Sequence, residues 1–176
     1  LRATRVGKSV LLTAPTGGGK TLAGFLPSLC DLIASVGDAD WDNRLHTLYL
    51  SPLKALAVDV RRNLEEPIAE MDLPIRVEIR TGDTPQTRRQ RQRKSPPHML
   101  LTTPEQLALL LSYRDAGRYF RHLRFVVIDE LHALVPNKRG DLLALGLARL
   151  AALAPSARQI GLSATVAAPE QMANFL

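Results

Sequence analysis

The amino-acid sequence predicts an α/β fold of three layers, in which helices cover both faces of a mostly parallel central sheet. Short, almost continuously apolar segments alternate with longer segments in which apolar residues follow helical spacing. Continuous apolar runs are typical of strands that are buried on both faces of a parallel sheet. A polar motif also follows several of these runs directly. Such sheets bind their ligands beyond the carboxyl ends of the strands, so this order agrees with the predicted fold.

The apolar runs define the predicted strands, which cover residues 9–13, 47–51, 75–80, 99–102, 125–129 and 159–163. Helical spacing is clear between Leu53 and Ile68, where apolar residues recur on one face. Further helices are predicted at residues 20–35, 104–112, 140–153 and from Pro169 onward. Alternation of strands and helices predicts right-handed crossovers within one sheet.

Length and composition limit the class of protein. The chain has 176 residues, about one domain at the usual ~100–200 residues per domain. With 45% hydrophobic and 23% charged residues, it has the composition of a folded rather than a disordered chain. No apolar run reaches the ~18 residues of a membrane span, and the first residues lack a signal peptide. Cys30 is the only cysteine, which excludes an internal disulfide. We therefore expect a cytoplasmic protein with no membrane partner.

Positive charge is concentrated in the middle of the chain. Residues 76–124 contain eleven basic and four acidic residues, a local net charge of +7 within a total of +6. Such a segment suits a polyanion-binding surface, although a solvated helix explains part of it equally well. The run from Arg88 to Lys94 leaves both interpretations open, and we favour the solvated helix.

A phosphate-binding loop is predicted directly after the first strand. The segment Ala14-Pro-Thr-Gly-Gly-Gly-Lys-Thr21 precedes a helical stretch. Glycines let backbone N–H groups converge on an anion, and the start of a helix attracts negative charge. Lys20 is expected to reach the β- and γ-phosphates, and the Thr21 hydroxyl is expected to bind Mg²⁺. The predicted nucleotide-binding residues are Thr16, Gly17, Gly18, Gly19, Lys20 and Thr21.

A second motif ends the buried strand at residues 125–129. Asp129 and Glu130 are adjacent carboxylates, which are costly at the end of a buried strand unless a cation or a reacting group meets them. Beside a phosphate loop, Asp129 is expected to hold Mg²⁺ and Glu130 to act as general base toward water. His132 is a candidate relay, and a purely structural histidine is the alternative.

The order of these motifs resembles the first RecA-like domain of superfamily-two DExH helicases. The phosphate loop, Asp129-Glu-Leu-His132 and Ser163-Ala-Thr165 follow one another as they do in that group. Segments 49–56, 80–84, 102–105, 128–134 and 161–166 are similar to the large helicase-related (Lhr) family. The resemblance covers about residues 10–166. It implies a RecA-like P-loop NTPase fold, binding of ATP and Mg²⁺, and a bacterial or archaeal origin.

The resemblance also implies contacts with one nucleic-acid strand. Three short motifs would hold its phosphates through Pro52, Lys54, Gly82, Asp83, Thr103, Pro104 and Glu105. Ser163 and Thr165 would couple the state of the bound nucleotide to the binding of that strand. The alternatives are a turn at Pro52, a helix start at Thr103 and Pro104, and a polar turn at Ser163. Aromatic residues are only 5% of the chain, so base stacking is not indicated.

Two features of the family are missing from the sequence. Residues 1–19 contain no glutamine, whereas the family reads adenine with a glutamine shortly before the phosphate loop. Position 14, where the strict loop pattern has glycine, is Ala14, the variant usual in helicases. The family's arginine finger belongs to a second RecA-like domain, for which no residues remain. We expect residues 1–176 to be one ATP-binding domain, truncated at both ends, which hydrolyses ATP poorly when isolated.

The sequence thus indicates the ATP-binding domain of an ATP-dependent helicase that acts on single-stranded DNA or RNA. Two other classes stay open. A P-loop switch or transporter motor would share Lys20, Thr21 and Asp129 without binding nucleic acid. A non-catalytic clamp would bind nucleic acid with a degenerate nucleotide site. Oligomeric state is not predicted by the sequence.

Overall fold

The computed structural model describes residues 9–14, 19–39, 41–135 and 137–164, together with Met172. Its strands are β1 (Val10–Thr13), β2 (Thr47–Leu50), β3 (Val77–Arg80), β4 (Met99–Thr102), β5 (Phe125–Ile128) and β6 (Arg158–Ser163). They form one six-stranded sheet in the order β1-β6-β5-β2-β4-β3, and every neighbouring pair is parallel. The predicted α/β fold is therefore confirmed.

Helices cover both faces of this sheet. The helices are α1 (Lys20–Ala34), α2 (Lys54–Glu70), α3 (Gln86–Lys94), α4 (Pro104–Ser112), α5 (Ala116–Phe120), α6 (Leu131–Leu134) and α7 (Lys138–Leu153), with a 3₁₀ turn at Trp41–Asn43. Helices α1 and α2 pack on one face and α4 to α7 on the other. None of the described helices is both long and apolar enough to cross a membrane.

Alternating side chains of the central strands supply two separate cores. In β2, Leu48 and Leu50 pack toward α4–α7, whereas Tyr49 packs toward α1 and α2. All three side chains are fully buried. Burial on both faces explains why the central strands are apolar at consecutive positions rather than at every second one.

The predicted elements differ from the observed ones mainly at short helices. Helices α5 and α6 have five and four residues, too few to produce a helical period in the sequence. Helix α7 begins at Lys138 rather than at Gly140, because the Asn137 side chain accepts a hydrogen bond from the Arg139 N–H at 2.9 Å and so caps an earlier turn. The helix predicted from Pro169 onward lies outside the described residues, apart from Met172.

Gly140 lies where α6 and α7 approach each other most closely. A Cβ atom added to Gly140 would lie 2.4 Å from the carbonyl oxygen of Leu134. Because this neighbour is backbone, it cannot rotate away, so the position requires glycine.

Candidate nucleotide and nucleic-acid sites

The end of the predicted phosphate loop forms the start of helix α1. Gly19 has φ 68°, a left-handed conformation that glycine adopts without strain. Lys20 follows as the first helical residue, and its Nζ donates a hydrogen bond to the Ser163 carbonyl oxygen at 3.2 Å. The end of β6 therefore holds the ammonium group beside β1. The remaining predicted loop residues lie outside the described part of the chain: Thr16, Gly17 and Gly18.

Asp129 follows β5 and is only 5% exposed. Its Oδ2 accepts a hydrogen bond from the Tyr49 hydroxyl at 2.5 Å, and its Oδ1 accepts one from the Glu130 N–H at 2.8 Å. Burial raises the pKa of Tyr49 above its usual range, and the negative charge of Asp129 raises it further. Tyr49 therefore stays a neutral donor that fixes the orientation of the carboxylate.

Glu130 has φ 49°, an unusual backbone conformation for a residue with a side chain. Outliers of this kind cost free energy and cluster at functional sites. The Glu130 Oε2 atom lies 3.2 Å from His132 Nε2. The strained turn between β5 and α6 thus brings the Glu130 and His132 side chains together.

His132 links Glu130 to the end of β6. Its Nδ1 accepts a hydrogen bond from the Ala164 N–H at 3.3 Å and lies 3.3 Å from the Ser163 hydroxyl oxygen. Because Nδ1 is an acceptor, the proton of the neutral imidazole is on Nε2, which faces Glu130. Ser163 also accepts from Lys20, so one serine contacts both the phosphate-loop lysine and the histidine. Thr165, its predicted companion, lies outside the described residues.

One cavity brings these groups together. It has a volume of about 460 Å³, and its polar lining includes Lys20, Thr21, Asp129 and Glu130. Helix α2 contributes Asp59 to the lining. The sequence separates Lys20 from Asp129 by more than a hundred residues, but β1, β6 and β5 are consecutive in the sheet. Their carboxyl ends consequently meet at one edge.

The predicted strand-binding residues follow the other three strands. Lys54 begins α2, directly beyond β2, and its Nζ lies 2.6 Å from the Asp83 carboxylate beyond β3. Both side chains are more than half exposed. A surface ion pair of this kind stabilises by about 0–1 kcal/mol. Exchanging Asp83 for another anionic partner would therefore cost Lys54 little free energy.

Arg89 holds the loop that contains Gly82 and Asp83, and the sequence did not indicate this role. Its Nε donates to the Thr84 carbonyl oxygen at 2.7 Å, and a second guanidinium nitrogen donates to the Gly82 carbonyl oxygen. The backbone of this loop is thus fixed from behind while the Asp83 side chain stays in solvent.

Arg139 joins two of the predicted motifs and was not predicted from the sequence. Its guanidinium donates to both Glu105 carboxylate oxygens, at 2.6 and 3.2 Å, and to the Pro52 carbonyl oxygen at 2.8 Å. Two-pronged pairing of this type is stronger and more directional than a single contact. Arg139 lies in the first turn of α7, so the segment that follows Glu130 also supports the ends of β2 and β4.

Glu105 is ionised at all ordinary pH values. Partial burial on its own would raise its pKa, but hydrogen bonds from Arg139 and Thr103, together with the charge of Arg139, lower the pKa to about 2. Pro104 starts α4 with Thr103 at the preceding cap position, and the Thr103 side chain makes no capping hydrogen bond to the helix backbone. The helix start that was the alternative interpretation of Thr103 and Pro104 is therefore observed, without a capping hydrogen bond from the Thr103 side chain.

The basic run from Arg88 to Lys94 lies within α3, so the helix that we favoured is observed. It is not simply solvated. Gln92 is fully buried, and Arg88, Arg91 and Gln92 all contact the Glu78 carboxylate of β3. These contacts fasten α3 to the edge strand and neutralise part of its charge.

The fold and the clustered motifs define a helicase domain, and the comparisons with known proteins agree. The sequence pattern of the DEAD/DEAH box helicase family matches residues 1–173. The chain therefore belongs to this family.

Within that family, the chain is similar to Lhr helicases. It is 44% identical to "ATP-dependent helicase Lhr-Core protein 2" of Thermococcus barophilus over 97% of this chain and 21% of the relative. It is 45% identical to "Lhr helicase/uracil glycosylase" of Escherichia coli over 94% of this chain and 12% of the relative. The structure of "Mycobacterium smegmatis helicase Lhr bound to ssDNA and AMP-PNP" matches with a TM-score of 0.86 and 44% identity, over 99% of this chain and 23% of the other.

These matches confirm the resemblance to Lhr that the motifs indicated. The chain spans about a fifth of the length of the Lhr-Core relative.

Proposed function

We propose that this chain is the ATP-binding domain of an Lhr-type helicase, which couples ATP hydrolysis to movement along DNA or RNA and to its unwinding. The proposal is carried by the cavity where Lys20, Thr21, Asp129 and Glu130 meet. Neighbouring strand ends carry the residues proposed to hold one nucleic-acid strand. The M. smegmatis relative, which was solved with ssDNA and AMP-PNP, supports both ligand classes.

The donors present suit Mg²⁺. The cavity offers the Asp129 carboxylate and the Thr21 hydroxyl. Among the described residues, no three or more His, Cys, Asp or Glu side chains are grouped so that they could hold a metal ion by themselves. Mg²⁺ commonly takes one or two protein ligands and completes its shell with water and substrate phosphates. When bound, it neutralises charge that develops on the phosphate oxygens.

The protein residues take separate roles around a bound triphosphate. Lys20 pairs with the β- and γ-phosphates, and Gly19 and Thr21 lie beside them. Glu130 accepts the proton of the attacking water. His132 donates its Nε2 proton to Glu130 and thereby holds that carboxylate in position. Through Nδ1, the same imidazole contacts Ser163 and Ala164 at the end of β6.

The nucleic-acid strand lies along the ends of β2, β4 and β3. Lys54 supplies a positive charge, and backbone groups near Pro52, Gly82 and Thr103 face the phosphates. Contacts with the backbone alone carry no sequence preference. Asp83 and Glu105 keep the basic groups ordered while the site is empty of nucleic acid.

Residues 1–176 form the first RecA-like domain in this proposal, and a second RecA-like domain supplies the arginine finger. An arginine finger increases turnover about 10³–10⁵-fold in related hydrolases. We therefore expect the 176-residue chain alone to hydrolyse ATP far more slowly than the full-length protein. Equal turnover numbers for the two would contradict this part of the proposal.

The main test measures ATP hydrolysis by the full-length protein with and without single-stranded DNA and RNA, and unwinding of tailed duplexes. We expect single strands to stimulate hydrolysis, and Glu130→Gln to lower it about 10²–10⁴-fold while nucleotide still binds. If no nucleic acid changes the rate of ATP hydrolysis, the protein is instead a switch or transporter motor. A wild-type protein that binds nucleic acid but no nucleotide would indicate a non-catalytic clamp.

A further inference from the structure

Two hydroxyl side chains lie in a row between the nucleotide cavity and the predicted contact with nucleic acid. Tyr49 belongs to β2, and Ser51 lies two residues further on, just beyond the end of this strand. Residues two apart in an extended segment point to the same side. Both side chains are fully buried, and buried hydroxyl groups need hydrogen-bond partners. Their partners therefore show what this row connects.

The first contact of the row is with the nucleotide cavity. The Tyr49 hydroxyl donates a hydrogen bond to Asp129 Oδ2 at 2.5 Å. The Tyr49 ring stacks on Phe25 of α1, with ring centroids 5.3 Å apart and an interplanar angle of 27°, and Phe25 lines the same cavity. Packing therefore holds the ring, and the hydroxyl alone makes the polar contact. A phenylalanine at this position would keep the first and lose the second.

The last contact of the row is with the segment predicted to hold nucleic acid. The Leu53 N–H donates to Ser51 Oγ at 3.4 Å, and the Ser51 hydroxyl donates to the Leu53 carbonyl oxygen at 3.3 Å. Leu53 is 58% exposed and lies between Pro52 and Lys54, two of the predicted contacts. A ligand bound at this exposed segment can thus change the partners of a buried hydroxyl.

The two side chains of the row also contact each other. Burial and the charge of Asp129 raise the pKa of Tyr49, and a hydrogen bond with the Ser51 side chain acts in the opposite direction. A donor to the tyrosine oxygen has this effect, because it stabilises the ionised form. A hydroxyl carries one proton. The Ser51 proton can therefore be donated either to the Leu53 carbonyl oxygen or to Tyr49, which gives the row two arrangements.

We propose that Ser51 and Tyr49 are positioning residues, which transmit the binding of a nucleic-acid strand beside Lys54 to the magnesium ligand Asp129. This inference rests on the proposed function and adds the residues that connect its two ligands. A phosphate bound at the exposed segment moves the Leu53 carbonyl away from Ser51, whose proton is then donated to Tyr49.

The second arrangement holds Asp129 more firmly than the first. Hydrogen bonds in a chain polarise one another, so the Tyr49 hydroxyl is a stronger donor when it accepts from Ser51. Asp129 Oδ1 is already fixed by the Glu130 N–H at 2.8 Å, and the bond from Tyr49 fixes the other oxygen. The carboxylate then has one orientation toward the cavity. No group changes its charge in this step.

The test uses Tyr49→Phe and Ser51→Ala in the full-length protein, each with a matched control. Tyr119→Phe is the control for the tyrosine, because the Tyr119 hydroxyl is buried and has no hydrogen-bond partner within the described part of the chain. Ser28→Ala is the control for the serine, because the buried Ser28 hydroxyl donates to a backbone carbonyl of its own helix. Thermal unfolding verifies that all four variants are folded.

Two quantities are measured for each protein. The first is the Mg²⁺ concentration that gives half-maximal binding of a fluorescent, non-hydrolysable ATP analogue in the absence of nucleic acid. The second is the ratio of ATP hydrolysis with saturating single strand to hydrolysis without it. The first reports the magnesium ligand without any turnover, and the second reports transmission from the strand.

We expect Tyr49→Phe to change both quantities. The Mg²⁺ requirement should rise about tenfold, at the lower end of the usual effect of residues that orient a metal ligand, and the ratio should fall roughly fivefold. Ser51→Ala should lower the ratio but keep the wild-type Mg²⁺ requirement, because Ser51 is needed only when a strand is bound. Both controls should keep both wild-type values.

The outcomes separate this inference from the proposed function. Wild-type values of both quantities in Tyr49→Phe would overturn the inference, and so would a wild-type ratio in Ser51→Ala. Equal changes in a variant and its control would also overturn it, because they indicate a general loosening of the core. If the wild-type protein binds no nucleotide, or no strand stimulates its hydrolysis, the proposed function is wrong and the inference is overturned with it.

Discussion

The two halves of the sheet hold their polar residues in opposite ways. At β1, β6 and β5, the groups line one cavity, and Asp129 is 5% exposed. At β2, β4 and β3, the groups form surface pairs, and the Lys54 and Asp83 side chains are 55% and 76% exposed. In the proposed function a triphosphate must be oriented precisely for reaction, which favours partners that are held in fixed positions. A strand that moves through its site is better held by weak contacts that exchange easily.

The two halves meet where β5 pairs with β2, and the side chains of Tyr49 and Arg139 add contacts across that boundary. Tyr49 of β2 donates to Asp129 beyond β5. Arg139, a few residues after Glu130, binds Pro52 and Glu105 on the other side. If the halves have separate tasks joined by these contacts, substitutions in each half should affect different measurements.

The largest effect is expected in the nucleotide half. Glu130→Gln removes the general base but keeps the shape of the side chain, so kcat for ATP should fall about 10²–10⁴-fold. Affinity for a single strand should stay within about twofold, since Glu130 does not contact the strand motifs. Steady-state hydrolysis and anisotropy measure the two quantities on one preparation of full-length protein. A parallel loss of strand binding would show that the halves are not separate.

A smaller effect is expected in the strand half. Arg139→Ala removes all three hydrogen bonds to Glu105 and Pro52, and single-strand affinity should fall roughly tenfold, or about 1.4 kcal/mol. Lys138→Ala, which changes the exposed neighbouring residue of α7, is the matched control and should have little effect. Titration of a labelled oligonucleotide is the measurement. Similar affinities for the two variants would exclude Arg139 as a positioning residue.

His132→Ala tests communication rather than either ligand alone. Without the imidazole, Glu130 loses its contact with Ser163 and Ala164, so strand stimulation of hydrolysis should decrease by roughly fivefold, at the lower end of usual coupling energies. The measurement is the ratio of hydrolysis with saturating single strand to hydrolysis without it. If this ratio keeps its wild-type value, His132 has the structural role that was the alternative.

The smallest effect concerns pH. Because the folded pKa of Glu105 is lowered to about 2, its ionised form adds stability that is complete above its ordinary pKa of 4.5 and is lost as pH falls through about 2. Urea unfolding of the wild type and of Glu105→Gln should differ most above pH 4.5 and converge below it. High salt should reduce the difference, since the pair is partly exposed. A difference that grows as pH falls would contradict the assignment.

Much of the fold was readable from the sequence because strands buried on both faces are apolar throughout. The strand Met99–Thr102 and the helix Pro104–Ser112 have the predicted bounds. The juxtaposition of Lys20 with Asp129 was also predictable, since both follow parallel strands whose carboxyl ends share one edge. Their roles in hydrolysis stay predictions.

The supporting residues were not predictable, because their partners are distant in sequence. Arg139 contacts Glu105 and Pro52, which lie 34 and 87 positions away, and no local pattern marks it. Tyr49 had a weak signal, as the aromatic residue between two leucines of β2. The charge of α3 was visible, but its attachment to Glu78 depends on the sheet edge beside which it folds.

The glycine at position 140 has a consequence for how α6 and α7 are joined. Helices α6 and α7 touch there through backbone, with no room for even a methyl group against Leu134. Any side chain at position 140 would therefore push the two helices apart at this contact. Glu130 directly precedes α6 and Arg139 lies in the first turn of α7, so a change at Gly140 would also move these two side chains relative to each other.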